Sequence, residues 1–298
     1  MSEAESYTHL VREALVRLSH MISEVRQFPK ELAEQEDYKR VLSEYLITYT
    51  KLLNFESKEP NTKNISEAVE LLIERKARHK DTVPNMASAC MAMKDKYGVS
   101  LDEEDCALTK SVQYCLDRLY ISRISLNMLT NQHLMVHGYK KPVKDQIGVI
   151  DPRTDLEEVV RHAYSNARFL CEQCYINAPK LELKTHNLTD PTDSVSVVHV
   201  PSHIYHMSFE VMKNAMQATV NNNWDKLDEL PPIKALICQS DNDITIKISD
   251  LGGGVDRSTA EKMFKYLYTT SPKASLTKES VPLSGLGYGL PLARLYAR

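Results

Sequence analysis

The stretch that decides the fold is "DITIKISDLGGG", residues 243–254. Three isoleucines alternate in it with polar residues, which is the two-residue period of a strand with one covered face. Asp250 has the parity of the isoleucines, so we expect its side chain on the covered face. An unpaired carboxylate is costly there. The stretch therefore predicts a strand that ends in a carboxylate and a glycine-rich turn.

Two interpretations of Asp250 are open at this point. In the first, Asp250 only starts the turn made by the residues after it, as aspartate often does. In the second, it accepts hydrogen bonds from the amine of a buried ligand, and Gly252 and Gly254 let that ligand come close to the backbone.

The preceding helix, "SHIYHMSFEVMKNAMQATV" at 202–220, favours the second interpretation. Its predicted core stripe consists of Ile204, Met207, Val211, Ala215 and Ala218. A polar stripe lies beside it and consists of His206, Glu210, Lys213, Asn214 and Gln217. Such stripes are usually solvated helix faces, but Glu210 and Asn214 lie four apart and so share a face. An amide oxygen suits Mg²⁺, and a glutamate can receive a proton.

A second glycine motif lies in "GLGYGLPLARLYAR", residues 285–298. Glycines at alternate positions free backbone N–H groups, and the motif leads into a predicted helix whose N-terminus attracts anions. This stretch therefore predicts a loop that holds phosphates.

The three motifs together resemble those of the Bergerat-fold ATPases: E-x-x-x-N on a helix, D-x-G-x-G after a strand, then G-x-G-x-G before a helix. The wording around them, and two stretches in the first half, resemble the mitochondrial pyruvate dehydrogenase kinases over nearly the whole chain. These stretches are 200–220, 246–255, 285–298, "RHKDTVPNMA" at 78–87 and "LDRLYISRIS" at 116–125. The branched-chain 2-oxoacid dehydrogenase kinases are a less close match.

This resemblance implies a protein-serine kinase that phosphorylates the E1 component of the pyruvate dehydrogenase complex with MgATP and switches the complex off. It implies that Glu210 is the general base, Asn214 the Mg²⁺ ligand and Asp250 the acceptor for the adenine amine. The other implied ATP-binding positions are Lys213, Gln217, Gly252, Gly254, Thr269, Thr270, Gly285, Leu286, Gly287, Tyr288, Gly289 and Leu290. Gln217 stands where the family pattern has an arginine, so we expect weaker ATP binding.

The resemblance also implies an effector pocket for a carboxylate in the first half of the chain. His79 and Arg123 match it, whereas Lys76 and Asn127 stand where arginines are expected. Lysine replaces arginine only as a point charge, and asparagine cannot replace it, so the effector response is in question. A histidine-kinase alternative would make His79 a phosphoacceptor, but its spacing from Leu72 favours a structural or regulatory role.

Periodicity divides the chain into two halves and predicts an α+β fold. Apolar residues recur at three and four in the first half and predict four long helices, near 5–26, 36–55, 64–95 and 103–136. We therefore expect an antiparallel four-helix bundle, a regulatory domain at 1–137, then a linker at 138–154. The resemblance makes 155–298 a Bergerat-type α/β sandwich that binds ATP. Its predicted elements are helices at 155–175 and 201–220 and strands at 181–186, 195–200, 233–239 and 243–249.

Composition limits the classes of partner. A net charge of -3 and a pI near 6.4 argue against binding to nucleic acid or a membrane surface, and no apolar run is long enough to span a bilayer. The resemblance implies the mitochondrial matrix, although the first residues do not read as a targeting segment. It also implies the E1 component as substrate, the E2 lipoyl domain as partner, and a homodimer.

Compared with the family pattern, the chain lacks the first helix with its leader and the last two strands with a tail. We therefore expect an ATP-binding domain that is incomplete at its C-terminus. This leaves an alternative function, a truncated, non-catalytic interaction module that binds the E2 lipoyl domain or full-length kinase.

Overall fold

A computed structural model describes residues 2–98, 106–139, 145–269 and 286–298. The chain divides into two compact units, and the division falls between Val149 and Ile150. Each unit is described by itself below.

The first unit is helical throughout its described residues. Its helices are α1 (Glu3–Val25), α2 (Lys30–Ala33), α3 (Glu36–Leu53), α4 (Thr62–Arg78), α5 (Thr82–Tyr97) and α6 (Ala107–Val136). A capping box between Ser2 and Glu5 satisfies the first backbone N–H groups of α1. Helix α1 packs against α3 and α6, and α3 also packs against α5. The apolar faces therefore meet around α1 and α3.

The single helix predicted at 64–95 is wrong, because α4 and α5 are separate helices. His79 is the C-terminal cap of α4, and Asp81 precedes the first residue of α5. Pro84 is the third residue of α5, a position where the missing N–H costs nothing, whereas in the middle of a longer helix the proline would remove a hydrogen bond. The apolar period continues across the break, which is why periodicity alone did not show it.

The second unit mixes helices and strands. Its elements are β1 (Asp151–Asp155), α7 (Leu156–Tyr175), β2 (Leu181–Asn187), β3 (Ser196–His199), α8 (Pro201–Asn222), a 3-10 helix (Trp224–Glu229), β4 (Ile233–Gln239), β5 (Ile244–Ser249), α9 (Arg257–Lys262) and α10 (Gly289–Tyr296). Strand β1 was not predicted and lies mostly within the segment assigned as a linker. Its residues do not alternate between buried and exposed, because Pro152 and Arg153 are both exposed, and its pairing with β3 supplies the order that its own sequence does not indicate.

A three-stranded sheet in the order β2-β4-β5 supports the core of this unit. Strands β2 and β4 are parallel, and β4 and β5 are antiparallel, with Ala235 opposite Ile248 and Ile237 opposite Ile246. Helices α7 and α8 pack against each other, and α8 also contacts β5 and α10. The fully buried residues come from α7, α8 and β4, and include Val160, Ala167, Cys171, Met212, Met216, Val220, Ile233 and Ile237. Within the described parts of the chain, the structure contains no helix that is long and apolar enough to cross a bilayer.

Candidate functional site

A cavity of about 390 Å³ opens beside α8 in the second unit. The end of β5, the turn after it, the segment after α9 and the start of α10 form its other walls. The predicted site residues that line it are Glu210, Asn214, Gln217, Asp250, Gly254, Thr269, Gly287, Gly289 and Leu290. The structure thus brings the three sequence motifs to one cavity.

Helix α8 separates the core from the cavity. Glu210, Asn214 and Gln217 follow one another at four and three residues, so they face the cavity from one side of the helix. The opposite side is buried in the core through Met212, Met216 and Val220, among others. The predicted core stripe is wrong at Val211 and Ala218, which line the cavity instead. Apolar residues occur on the side of α8 that faces the core and also on the side that faces the cavity. The sequence pattern therefore could not separate the two sides.

Glu210 is held on two sides. Its Oε2 lies 2.9 Å from Nζ of Lys213, and both side chains are mostly buried, 13% and 15% exposed. Lys213 also lies 5.0 Å above the ring of Phe209, a cation–π contact that limits its movement. On the other side, the carboxylate lies against Gly289, and a Cβ there would collide with it. Glycine at the first position of α10 is therefore what allows this contact.

Asp250 lines the cavity, but its side chain is exposed rather than covered as predicted. The parity of the strand places it on the expected side, and the cavity on that side is open. Its Oδ1 accepts a hydrogen bond of 2.8 Å from the N–H of Gly252, so Asp250 does organise the turn. This bond engages only one of the two carboxylate oxygens. The turn and the ligand interpretations are therefore compatible.

Gly252 and Gly254 occupy the turn for different structural reasons. A Cβ at Gly252 would lie 2.7 Å from the carbonyl carbon of Ala218, so this glycine lets the turn pack against α8 and does not line the cavity. Gly254 has a φ of +74°, and a Cβ there would meet nothing within 4 Å. This backbone conformation strongly favours glycine and leaves its cavity side open.

The second glycine motif is anchored to the segment before it. The N–H of Leu267 donates to the carbonyl of Gly287, at 3.1 Å. Gly287 has a φ of +73°, and a Cβ there would lie 2.6 Å from the carbonyl oxygen of Tyr268. Tyr288 is buried against Tyr266, at 5.2 Å between ring centroids, and neither it nor Leu286 lines the cavity. Thr270 and Gly285 lie outside the described residues.

Several cavity residues were missed by the sequence analysis. Val255, Thr259, Met263 and Tyr268 also line the cavity, and no pattern in the sequence distinguishes them from residues that do not. His206, which belongs to the predicted polar stripe, lies one turn before Glu210 and does not line the cavity. Its Nε2 has no hydrogen-bond partner in the described structure. Burial lowers the pKa of His206 below its ordinary value, although the charge of Glu210 acts in the opposite direction.

The residues predicted for an effector pocket lie in the first unit and do not all come together. His79 is buried, and its Nε2 shares a hydrogen bond of 2.9 Å with Oγ1 of Thr48. Lys76 is exposed, and its neighbour Arg75 is the cation that is buried instead. Arg75 donates to Oδ1 of Asn127 at 3.1 Å. In the sequence, Arg75 stands among the apolar residues of α4. This position was the signal for a buried cation, and the sequence analysis overlooked it.

Electrostatics of this cluster disfavour a phosphoacceptor role for His79. Its ring is 2% exposed, and burial lowers its pKa to about 3, with the charges of Arg75 and Arg123 acting in the same direction. Burial also lowers the pKa of Arg75 to about 10. A phosphoacceptor must meet the γ-phosphate, and no open face of this ring is available for that contact.

Comparison with known proteins gives consistent matches. A protein-family model described as mitochondrial branched-chain alpha-ketoacid dehydrogenase kinase matches residues 1–151. The chain is 42% identical to a mitochondrial pyruvate dehydrogenase (acetyl-transferring) kinase of Drosophila melanogaster, over 99% of this chain and 72% of that protein. It is 41% identical to a probable kinase of the same name from Caenorhabditis elegans, over 100% and 73% of the two chains. Isozyme 3 of Homo sapiens is 41% identical, over 99% and 73%.

Proposed function

Because the chain belongs to the mitochondrial pyruvate dehydrogenase kinase family, we propose that it phosphorylates a serine of the E1 component of the pyruvate dehydrogenase complex and thereby inactivates that complex. The family membership makes it a mitochondrial protein kinase that uses ATP. The observation that carries the proposal is that Glu210, Asn214 and Asp250, from two different elements, line one cavity together with the start of α10.

The proposed reaction is a direct transfer. The serine oxygen attacks the γ-phosphorus of ATP, the bond from that phosphorus to the bridging oxygen breaks, and ADP leaves. Glu210 accepts the proton of the serine hydroxyl, so its carboxylate must be free when the serine is in place. Asp250 receives the amine of adenine on the carboxylate oxygen that the N–H of Gly252 does not occupy. The apolar side chains of Ile248 and Met263 would cover the adenine ring.

The chemistry of the cavity fits Mg²⁺. Asn214 presents an amide group, and the charged side chains among the described lining residues are the carboxylates of Glu210 and Asp250. No group of three or more His, Cys, Asp or Glu side chains suited to a metal occurs in the described residues. This suits an ion that takes one or two protein oxygens and completes its shell with phosphate oxygens. When bound, Mg²⁺ would neutralise charge on the phosphates, and Asn214 is the residue that would hold it.

The finer architecture and the partners are part of the same proposal. We assign residues 1–137 to a regulatory helical bundle, 138–154 to a linker whose last residues form β1 of the second unit, and 155–298 to a Bergerat-type ATP-binding domain. The proposed partners are the E1 component, the E2 lipoyl domain and a second copy of this chain, in the mitochondrial matrix. The packing of α1 and α3 with their neighbours, and the helices on one sheet in the second unit, support this assignment.

The test is phosphate transfer from radiolabelled MgATP to purified E1 protein. We expect transfer by the unaltered chain and about 10²–10⁴-fold slower transfer by Glu210→Gln, the range for loss of a general base. The control is Glu172→Gln, which neutralises a partly exposed glutamate of the same unit that pairs with Arg168 at 2.7 Å. It should transfer phosphate at the unaltered rate. Absence of transfer by the unaltered chain, with folding verified, would reject the proposal.

A further inference from the structure

The Glu210 carboxylate lines the cavity and lies between two positive groups. One is the ammonium of Lys213, 2.9 Å from Oε2. The other is the N-terminal end of α10, where the carboxylate lies against Gly289. Helix N-termini and lysine ammonium groups are what phosphates bind in proteins. A carboxylate and a phosphate would therefore compete for the same partners.

The charges of the described lining residues favour this competition. The described lining contains the two carboxylates of Glu210 and Asp250 and no lysine or arginine. Lys213 does not line the cavity itself, but it is in direct contact with a lining group. Its side chain is mostly buried and its ammonium lies over the ring of Phe209, which limits its movement. A polyphosphate that enters the cavity can engage Lys213 only by replacing Glu210.

We propose that Lys213 exchanges partners when ATP binds: it releases the carboxylate of Glu210 and pairs with a phosphate oxygen, so that Glu210 becomes free to act as the base only after nucleotide has arrived. This inference rests on the proposed kinase function and adds a positioning role for Lys213. The exchange breaks and forms only ion pairs, so no bond or proton is transferred in it. The serine proton then goes to Glu210 as the phosphate leaves ATP.

The order of events follows from this geometry. While Lys213 pairs with Glu210, the ammonium lies against Oε2 of the carboxylate, which must be free to accept the serine proton. Once a phosphate takes the lysine, that oxygen is free when the serine is presented. Nucleotide binding and base activation are thereby coupled through one side chain.

A double-mutant cycle on nucleotide affinity tests the exchange. Calorimetry would measure MgATP binding to four proteins: the unaltered chain, Glu210→Gln, Lys213→Met and the double variant. Because Glu210→Gln removes the competing charge, we expect it to bind MgATP about three- to ten-fold more tightly. Lys213→Met should bind about three- to ten-fold more weakly, and adding Glu210→Gln to it should change the affinity less than about two-fold. Glu172→Gln is the charge control and should bind as the unaltered chain does.

The possible outcomes are distinct. If Glu210→Gln shows no gain, or shows the same gain with and without Lys213, the exchange is overturned although the kinase proposal stands. If the unaltered, folded chain binds no MgATP, the proposed function fails and the exchange fails with it. Should Lys213→Met not fold, Lys213→Gln carries the same comparison, because it keeps a polar end beside Glu210 and removes the charge.

Discussion

Helices α4 and α8 present polar side chains at similar spacings and use them in opposite ways. In α4 and its cap, Arg75 and His79 are sealed inside the first unit, where Thr48 and Asn127 are among their partners. In α8, the polar row that begins at Glu210 faces an open cavity. The difference lies in what packs opposite, side chains of neighbouring helices in one case and glycine turns in the other. A three-four polar row therefore identifies a face but not its use.

The two regions also differ in how they treat charge. Burial dominates in the first unit, where it lowers the pKa of His79 to about 3 and that of His133 to about 4. In the second unit, the buried ion pair of Glu210 and Lys213 borders a cavity that a charged ligand can enter. We therefore expect the first region to respond to pH through stability and the second to respond to substitutions through nucleotide binding.

The largest expected effect is acid destabilisation through His79. Its folded pKa, about 3, lies below the ordinary value of 6.5, so the unfolded chain binds the proton more readily. Stability is complete above pH 6.5 and falls as the pH decreases toward 3. At pH 4 this histidine alone should cost about 3 kcal/mol in the free energy of unfolding, and His133 adds to the loss in the same direction. Urea unfolding between pH 7 and pH 4 measures it.

A substitution isolates this contribution. His79→Gln can keep a hydrogen bond to Thr48 and has no proton to gain, so its free energy of unfolding should depend less on pH. His9→Gln replaces an exposed histidine of the same unit and should retain the full dependence. Equal pH dependence in the two variants would show that the burial of His79 is not the source of the loss of stability in acid.

The next effect concerns Gly289, which lies against the Glu210 carboxylate and leaves no room there for a larger side chain. Gly289→Ala would push a methyl group into the Glu210 carboxylate at the start of α10. Overpacking typically costs about 1–3 kcal/mol, so we expect the free energy of unfolding to fall by about that amount. Urea unfolding measures this. Adding Glu210→Ala removes the collision and should restore most of the stability.

Gly254→Ala serves as the control for this position. It lines the same cavity, and a Cβ there meets nothing within 4 Å. The positive φ should cost about 1 kcal/mol of stability, and no collision adds to this cost, so the loss should be smaller than at Gly289. Equal losses of stability at both positions would mean that the collision with Glu210 is not what matters.

The smallest effect is expected at Gln217. This side chain lines the cavity and hydrogen-bonds to Tyr175, and its replacement by arginine adds a positive charge where the described lining has none. We expect Gln217→Arg to bind MgATP about three-fold more tightly, and more so at low salt. Asn221→Arg adds the same charge one turn further along α8 and should gain less. An unchanged affinity of Gln217→Arg would reject the idea that the missing charge weakens binding.

Much of the second unit was accessible from sequence because its patterns are local. The alternation that ends at Asp250 predicts β5 to within one residue, and the spacing of Glu210, Asn214 and Gln217 predicts their common face. The features that the sequence analysis missed depend on contacts between segments far apart in the chain. Strand β1 depends on its partner β3, and the wall that includes Met263 depends on how the chain returns to α8.

The first unit shows the same division. Periodicity located its helices but joined α4 to α5, because an apolar stripe can continue in phase across a break. Likewise, the resemblance pointed to Lys76, whereas Arg75 is the buried cation. One residue along a helix turns the side chain by about 100°, and only the packing of the neighbouring helices decides which of two adjacent cations is enclosed.

The sequence by itself determined the order of the motifs, the elements that carry them and the face on which Glu210 and Asn214 lie, because backbone periodicity is a local property. Tertiary structure alone decided that Glu210 pairs with Lys213 against Gly289, that Gly252 packs on α8, and that Asp250 stays exposed. These facts depend on distances between segments far apart in the chain, and such distances are set by how whole elements pack.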